Sequence, residues 1–250
     1  MKISENCYVI YGLAAIAPWM VNAGFITGRQ KTLVVDCGGN YLSAKTIYGY
    51  AKNIRPQNEL TAINTEPHFD HMGGNCFFAE KGVDIYGHKN INRKSSELEQ
   101  VKDEYNLSIL DKRRQAVREE NLVFYKTCAV NPNKKAAFDF SMDLGGITAE
   151  IILTPGHTSM NLSVYIPKEG ILYCGDTIVT DYIPNLDDGG KDDWKCWLNS
   201  LQKIARLSPK IIIPGHGEIL EGYEIEKEIS RMRSIINLAI LERSVPAYSN

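Results

Sequence analysis

Apolar positions in the first sixty residues follow two rhythms. The stretch "GFITGRQKTLVVD" (24–36) holds two short apolar runs split by Gly28-Arg29-Gln30, which predicts two strands joined by a turn. Its second run is apolar without a break, as in a strand buried on both faces. From Tyr41 to Ile54 the rhythm changes. Leu42, Ala44, Ile47, Tyr48, Ala51 and Ile54 recur at helical spacing, and Pro56 stops the helix. Short strands are expected at 60–64 and 83–88. Between 91 and 120 apolar positions thin out among charges, which predicts one or two exposed helices forming a solvated face. A lid over a site is the sharper alternative there. Strands return with "ITAEIIL", "NLSVYIP" and "ILYCG". A helix is expected over 192–207, a strand over 210–214 and a closing helix over 223–244.

Strands mixed with helices in both halves indicate a layered α+β architecture. With no linker rich in Gly, Ser or Pro, a single domain over residues 1–250 is the simplest organisation. "CYVIYGLAAIAPWMVNAG" (7–24) reads as the first strands rather than a signal peptide, because Gly12 and Pro18 break it and aromatic residues stud it. No apolar run approaches the roughly 18–20 residues that span a bilayer. The six cysteines include no C-x-x-C pair and read as buried, reduced thiols. Together these features lead us to expect a cytoplasmic protein. The net charge of −2, with acids and bases interleaved, offers no footprint for nucleic acid or an anionic membrane.

The chemistry concentrates in the histidines. Of five, four follow a short apolar run directly: His68 and His71 in "TEPHFDH", His157 in "TPGHT" and His216 in "PGHG". Asp176 ends "ILYCGD" in the same manner. Side chains at the ends of adjacent strands converge on one edge of a sheet, where clefts form. Imidazoles and carboxylates together suit a divalent transition metal. His88 falls outside this pattern and reads as structural or pocket-lining. Thr158 and Ser159 are placed either to support a ligand by hydrogen bonding or to cap a turn. Asp36 reads as structural, with orientation of a ligand histidine as the alternative. No G-x-S-x-G elbow is present, so serine nucleophilic catalysis has no support.

Taken in order, E-x-H-x-D-H (66–71) with Gly73-Gly74 after it, then "TPGHT", "GD" and "PGHG", resemble the metallo-β-lactamase superfamily. The resemblance extends from about Asn22 to Gly217. It implies a four-layer αββα sandwich with a binuclear metal site at one edge of the two sheets. Glu66, His68 and His157 would form the first position and Asp70, His71 and His216 the second, with Asp176 bridging. The implied cofactors are two divalent ions, zinc in the first instance, with Mn2+ or Fe2+ as alternatives. The implied nucleophile is a hydroxide held between them, with Asp70 as the catalytic residue that orients it and passes a proton to the leaving group. Tyr182 is a candidate substrate contact. The expected activity is metal-dependent hydrolysis of a small ester, thioester, lactone or lactam. A β-lactamase-type activity or an iron-dependent oxidoreductase on the same fold are the alternatives.

One residue departs from the family pattern, which usually has histidine where this chain has Glu66. Glutamate is a competent zinc ligand at about 2.0–2.2 Å. With a bridging hydroxide, three carboxylates bring two divalent ions to neutrality, whereas the all-histidine pattern leaves one positive charge. A less acidic bound water and better tolerance of harder ions are expected.

Overall fold

The computed structural model describes residues 1–11, 13, 20–180 and 182–242. Two six-stranded sheets face one another. Strands β1 (Cys7–Ile10), β2 (Ala23–Thr27), β3 (Lys31–Val35), β4 (Glu59–Ile63), β5 (Asp84–His88) and β6 (Lys134–Ala136) lie in sequence order in the first sheet. The second contains β7 (Phe140–Asp143), β8 (Thr148–Leu153), β9 (Leu162–Ile166), β10 (Ile171–Tyr173), β11 (Ile211–Ile213) and β12 (Leu220–Glu221), again in sequence order from edge to edge. The helices are α1 (Tyr41–Ile54), α2 (Phe69–Met72), α3 (Asn75–Glu80), α4 (Ser95–Ser108), α5 (Lys112–Ala116), α6 (Glu120–Val123), α7 (Lys191–Leu207) and α8 (Tyr223–Glu242).

The continuous apolar strands are explained by three stacked cores. In β3, Leu33 and Val35 enter the core between the sheets while Val34 faces the layer of α1 and α3. In β10, Ile171 and Tyr173 point to the same inter-sheet core, and Leu172 points to α7 and α8. Both faces of these strands are covered, so alternation is invisible in sequence. Each fully buried aliphatic side chain contributes roughly 1.5–3 kcal/mol. Burial on two faces therefore holds even three-residue strands such as β10 and β11. The layers run helix, sheet, sheet, helix, which is the αββα sandwich expected.

Helix α1 occupies 41–54, as the spacing predicts. Asn40 caps it by accepting from the Ser43 N–H at 2.8 Å. Among its periodic apolar residues Leu42 is exposed. Helix α7 packs Trp194, Trp197, Leu201 and Ile204 onto the second sheet. The end of the last predicted helix, 243–244, lies outside the described residues, as do Gly12 and 14–19 of the N-terminal stretch. Strand β1 does form there.

The 91–120 stretch holds two helices, α4 and α5, as expected, with α6 starting at its last residue; its face is not wholly solvated, because α4 buries Leu98 and Tyr105 beneath its charges. Strands β6, β7 and β12 lack an apolar run long enough to signal them. Cys128 and Cys196 are exposed, while the other four cysteines are buried; all six are free thiols. Among the described residues, no helix is long and apolar enough to cross a membrane.

Candidate metal centre

Every predicted donor follows a strand and stands at one edge of the sandwich. Strand β4 ends at Ile63, and the next eight residues carry Glu66, His68, Asp70 and His71. His157 follows β8, Asp176 follows β10 and His216 follows β11. Glu66, His68 and His157 present atoms within 4.8 Å of one another, and so do Asp70, His71 and His216. A third such group, Glu66, His71 and Asp176, links the two.

Close packing holds the turns. A Cβ added at Gly73 would stand 2.1 Å from the Gly39 carbonyl oxygen, and one at Gly74 would stand 2.1 Å from that of Cys37. These glycines have negative φ, so space rather than backbone freedom requires them. A Cβ at Gly215 would lie 1.9 Å from Asp176 Oδ1. The "PGH" turn thus makes room for the neighbouring donor.

Each of the four imidazoles has one nitrogen facing an oxygen acceptor outside the cluster. His71 Nδ1 is 2.9 Å from Asp36 Oδ2, His157 Nδ1 is 3.2 Å from the Asn185 carbonyl, and His216 Nδ1 is 2.5 Å from the Met20 carbonyl. His68 is turned the other way, with Nε2 3.4 Å from Asp188 Oδ2. An N–H donated outward leaves the inner nitrogen with a lone pair, the state in which imidazole binds a metal. Asp36 is fixed in turn, accepting from the Thr65 N–H at 2.8 Å and the Thr65 hydroxyl at 2.7 Å. These bonds hold it at φ +60°, a strained conformation for a residue with a side chain. Its role is therefore orientation as well as structure.

The inner atoms crowd together, His157 Nε2 lying 3.1 Å from His68 Nδ1. Glu66 Oε1, His71 Nε2 and Asp176 Oδ1 are buried and have no hydrogen-bond partner. His71 Nε2 is 2.8 Å from Glu66 Oε1 and 3.3 Å from Asp176 Oδ1. His216 Nε2 is 3.1 Å from Asp70 Oδ2 and 3.4 Å from Asp176 Oδ2. Glu66 Oε2 lies 3.4 Å from His68 Nδ1 and 3.3 Å from His157 Nε2. Two donors on one ion at about 2.0–2.1 Å stand roughly 2.8–3.4 Å apart for bond angles between square and tetrahedral. The donor set and its spacing fit divalent cations.

The protein's own charges push these groups far from their ordinary protonation. Burial lowers the proton affinity of His216, but Asp176 and Asp70 outweigh it and push its pKa up to about 11. Burial likewise opposes a charged His71, yet Glu66, Asp70, Asp36 and Asp176 raise it well above the usual value. Burial would raise Glu66; the imidazoles of His71, His157 and His68 hold it well below the carboxylate range. Asp70 and Asp176 are lowered too, against burial, chiefly by His71 and His216. A proton on an imidazole is the alternative to a metal for settling this cluster.

A cleft of about 470 Å³ opens above the centre, reached by His68, Asp70, His157, Asp176 and His216. Its walls come from α4 and from Val179, Tyr182, Ile183, Asn185 and Asp188, and the Tyr182 ring meets that of His216 edge-on at 6.1 Å between centroids. Part of the charged 91–120 stretch, Arg93 and α4 as far as Glu104, therefore lines the cleft wall. His88 lies at the end of β5 with Nδ1 accepting from the Asn90 N–H at 3.4 Å, away from the cleft.

Sequence reasoning missed Asn161 and Asp188. The Asn161 amide donates to Glu66 Oε2 at 3.1 Å, and its oxygen accepts from the Thr158 N–H at 2.5 Å and hydroxyl at 2.8 Å. Thr158 thus supports a candidate ligand through Asn161, while Ser159 is exposed. Nothing in the local sequence distinguishes Asn161 from a turn residue.

A sequence model of the Metallo-beta-lactamase superfamily matches residues 16–216. The chain is 32% identical over 108 residues to the Beta-lactamase-like protein 2 homolog of Caenorhabditis elegans, covering 40% of this chain and 34% of that protein. It is 29% identical over 106 residues to the Atrochrysone carboxyl ACP thioesterase of Aspergillus fumigatus, covering 40% and 31%. These matches span about a third of each relative. The metallo-beta-lactamase structure from Pontibacter korlensis superposes with a TM-score of 0.67 at 19% identity, over 95% of this chain and 97% of that one. That likeness is one of fold. With the family motifs, the layered sandwich and a match over four-fifths of its length, the chain belongs to the metallo-beta-lactamase superfamily.

Proposed function

We propose that the whole chain is one metallo-hydrolase domain with a binuclear, zinc-preferring centre, acting on a small ester, thioester, lactone or lactam. The observation that carries this is the meeting of seven donors with three buried atoms that have no hydrogen-bond partner. His68, His157 and Glu66 would hold one ion, and Asp70, His71 and His216 the other, with Asp176 between. Bound divalent ions supply Lewis acidity toward a carbonyl oxygen and bring the pKa of water from 15.7 to about 7. Asp70 lines the cleft with its carboxylate 3.1 Å from His216. There it orients the attacking water by accepting its hydrogen bond, takes up a proton and returns it to the leaving group. Tyr182 contacts the substrate from the wall.

The lining narrows the substrate further. Arg93 faces Glu97 at 3.4 Å and lies 5.0 Å over the Phe69 ring, so its charge is already balanced. No other lysine or arginine lines the cleft among the described residues, whereas Glu104 and Asp188 do. A neutral or cation-bearing acyl compound fits this wall better than one with a carboxylate tail. The thioesterase among the relatives supports the thioester end of the range.

The test is a chromogenic panel of esters, thioesters, lactones and lactams, each with neutral, ammonium and carboxylate tails. Turnover should disappear on chelation and return with zinc or manganese. Asp70→Asn should lower kcat by about 10²–10⁴-fold. Failure of metal-replete protein on every member would reject the hydrolase reading.

A further inference from the structure

Glu66 does more than fill a histidine's place. Its carboxylate is fully buried, and its two oxygens face different halves of the centre. Oε2 looks to His157 and His68 at 3.3 and 3.4 Å, whereas Oε1 stands 2.8 Å from His71, a residue of the other half. Sequence reasoning gave Glu66 to the first position alone. An imidazole there offers one inner nitrogen and serves one ion. A carboxylate offers two oxygens and can serve two.

The orientation is held in place. Asn161 donates to Oε2 only, and Thr158 fixes Asn161 through two bonds to its amide oxygen. Oε1 is left buried with no hydrogen-bond partner, turned toward His71 Nε2 and in the donor group that includes Asp176. Asp176 also faces both halves, with Oδ2 3.7 Å from His157 and Oδ1 3.3 Å from His71. Two carboxylates therefore cross between the positions, where the usual family pattern supplies one.

We propose that Glu66 is a shared ligand, one oxygen to each metal position, so that the two positions fill together rather than independently. This rests on the binuclear centre proposed above. It gives the family departure a purpose: the substitution ties the affinity of the second ion to a residue of the first position.

The test is stepwise titration of the chelator-treated 250-residue chain with Mn2+ against a chromogenic chelator, with His216→Ala identifying the step that belongs to the second position. Glu66→His keeps a donor for the first ion and removes the oxygen facing His71. It should weaken the second step by at least about tenfold while leaving the first within about threefold. An unchanged second step in Glu66→His would overturn the sharing.

A measurement on unaltered protein guards against misfolding of the variant. At one equivalent of Mn2+, paramagnetic resonance should show the coupled signal of paired ions, and Glu66→His, where folded, should show isolated ions. Isolated ions in the wild type would overturn the proposal. Failure to bind any divalent ion would instead remove the metal centre itself.

Discussion

The two sheets build their shares of the centre in different ways. The first sheet supplies Glu66, His68, Asp70 and His71 from one turn after β4, whereas the second supplies His157, Asp176 and His216 from three turns spread over sixty residues. In the first case local geometry sets the spacing. The four-residue α2 starts directly after His68 and carries Asp70 and His71. In the second, spacing depends on the register of β8, β9, β10 and β11 and on how tightly the turns between strands and helices nest. Damage to the second half should therefore spread, and damage to the first should stay local.

Gly215→Ala is the strongest way to break that contrast. The added Cβ would meet Asp176 Oδ1 at 1.9 Å and the Gly175 carbonyl carbon at 2.7 Å, and the latter is backbone that cannot swing aside. Overpacking of this kind costs about 1–3 kcal/mol. The variant should melt lower, and metal affinity should fall by more than about 100-fold because donors from both halves lose Asp176. Isothermal titration with zinc and a thermal melt check both. A normal melting temperature with intact metal binding would mean the second half is as locally determined as the first.

Asp36→Ala strikes the first half. It leaves the His71 Nδ1–H and the Thr65 N–H without their buried acceptor. Metal affinity should fall about 10–100-fold, the usual range for a lost partner of a ligand histidine. Asp36→Asn tolerates the same positive φ and keeps an acceptor oxygen, so it should recover much of the loss. Equal losses in both variants would assign the effect to the negative charge of Asp36 instead of to an acceptor that orients His71.

The same contrast explains what could be read from sequence. The 66–71 turn is legible because its four donors share one window, and the strands are legible because burial on two faces makes them uniformly apolar. The second-sheet donors are visible only through repetition of context, an apolar run and then Gly or Pro and a histidine or aspartate. Asn161 and Asp188 escape, since their roles arise from contacts across 95 and 120 residues of chain, to Glu66 and His68. Glu66 was legible as a donor but not in the shared role proposed for it, because sequence cannot say where a second carboxylate oxygen points. The cleft wall was half legible: charge on α4 marks an exposed face, while Leu98 and Tyr105 beneath it are too sparse to reveal the docking.

Proton competition measures how the halves hold one another. His216 from the second half faces Asp70 from the first, and its pKa rises to about 11 from an ordinary 6.5. A metal must displace that proton, so apparent affinity should rise with pH, by up to about tenfold per unit for each proton released. In chelator-treated protein the histidine contribution to stability is full below 6.5 and is lost as pH climbs toward 11. Asp70 and Asp176 are depressed from 3.8, so their contribution is present above that value and fades as pH falls below it. Heat resistance of the metal-free protein should therefore peak between the two. A flat profile would mean the halves are held together without these charges.

The smallest expected effect concerns the ligand held most loosely. His71 is anchored by Asp36, which is buried, whereas His68 meets Asp188, whose side chain is 41% exposed on the cleft wall. At 3.4 Å in partly screened surroundings that contact contributes little, about 0–1 kcal/mol. Asp188→Asn should weaken metal binding by less than about tenfold, well short of Asp36→Ala. It also removes one negative charge from the wall, so the KM for carboxylate-tailed substrates should fall while kcat holds. A loss as large as that of Asp36→Ala would show that the loop carboxylate orients His68 as firmly as the core orients His71. The first half would then rely on distant chain as much as the second does.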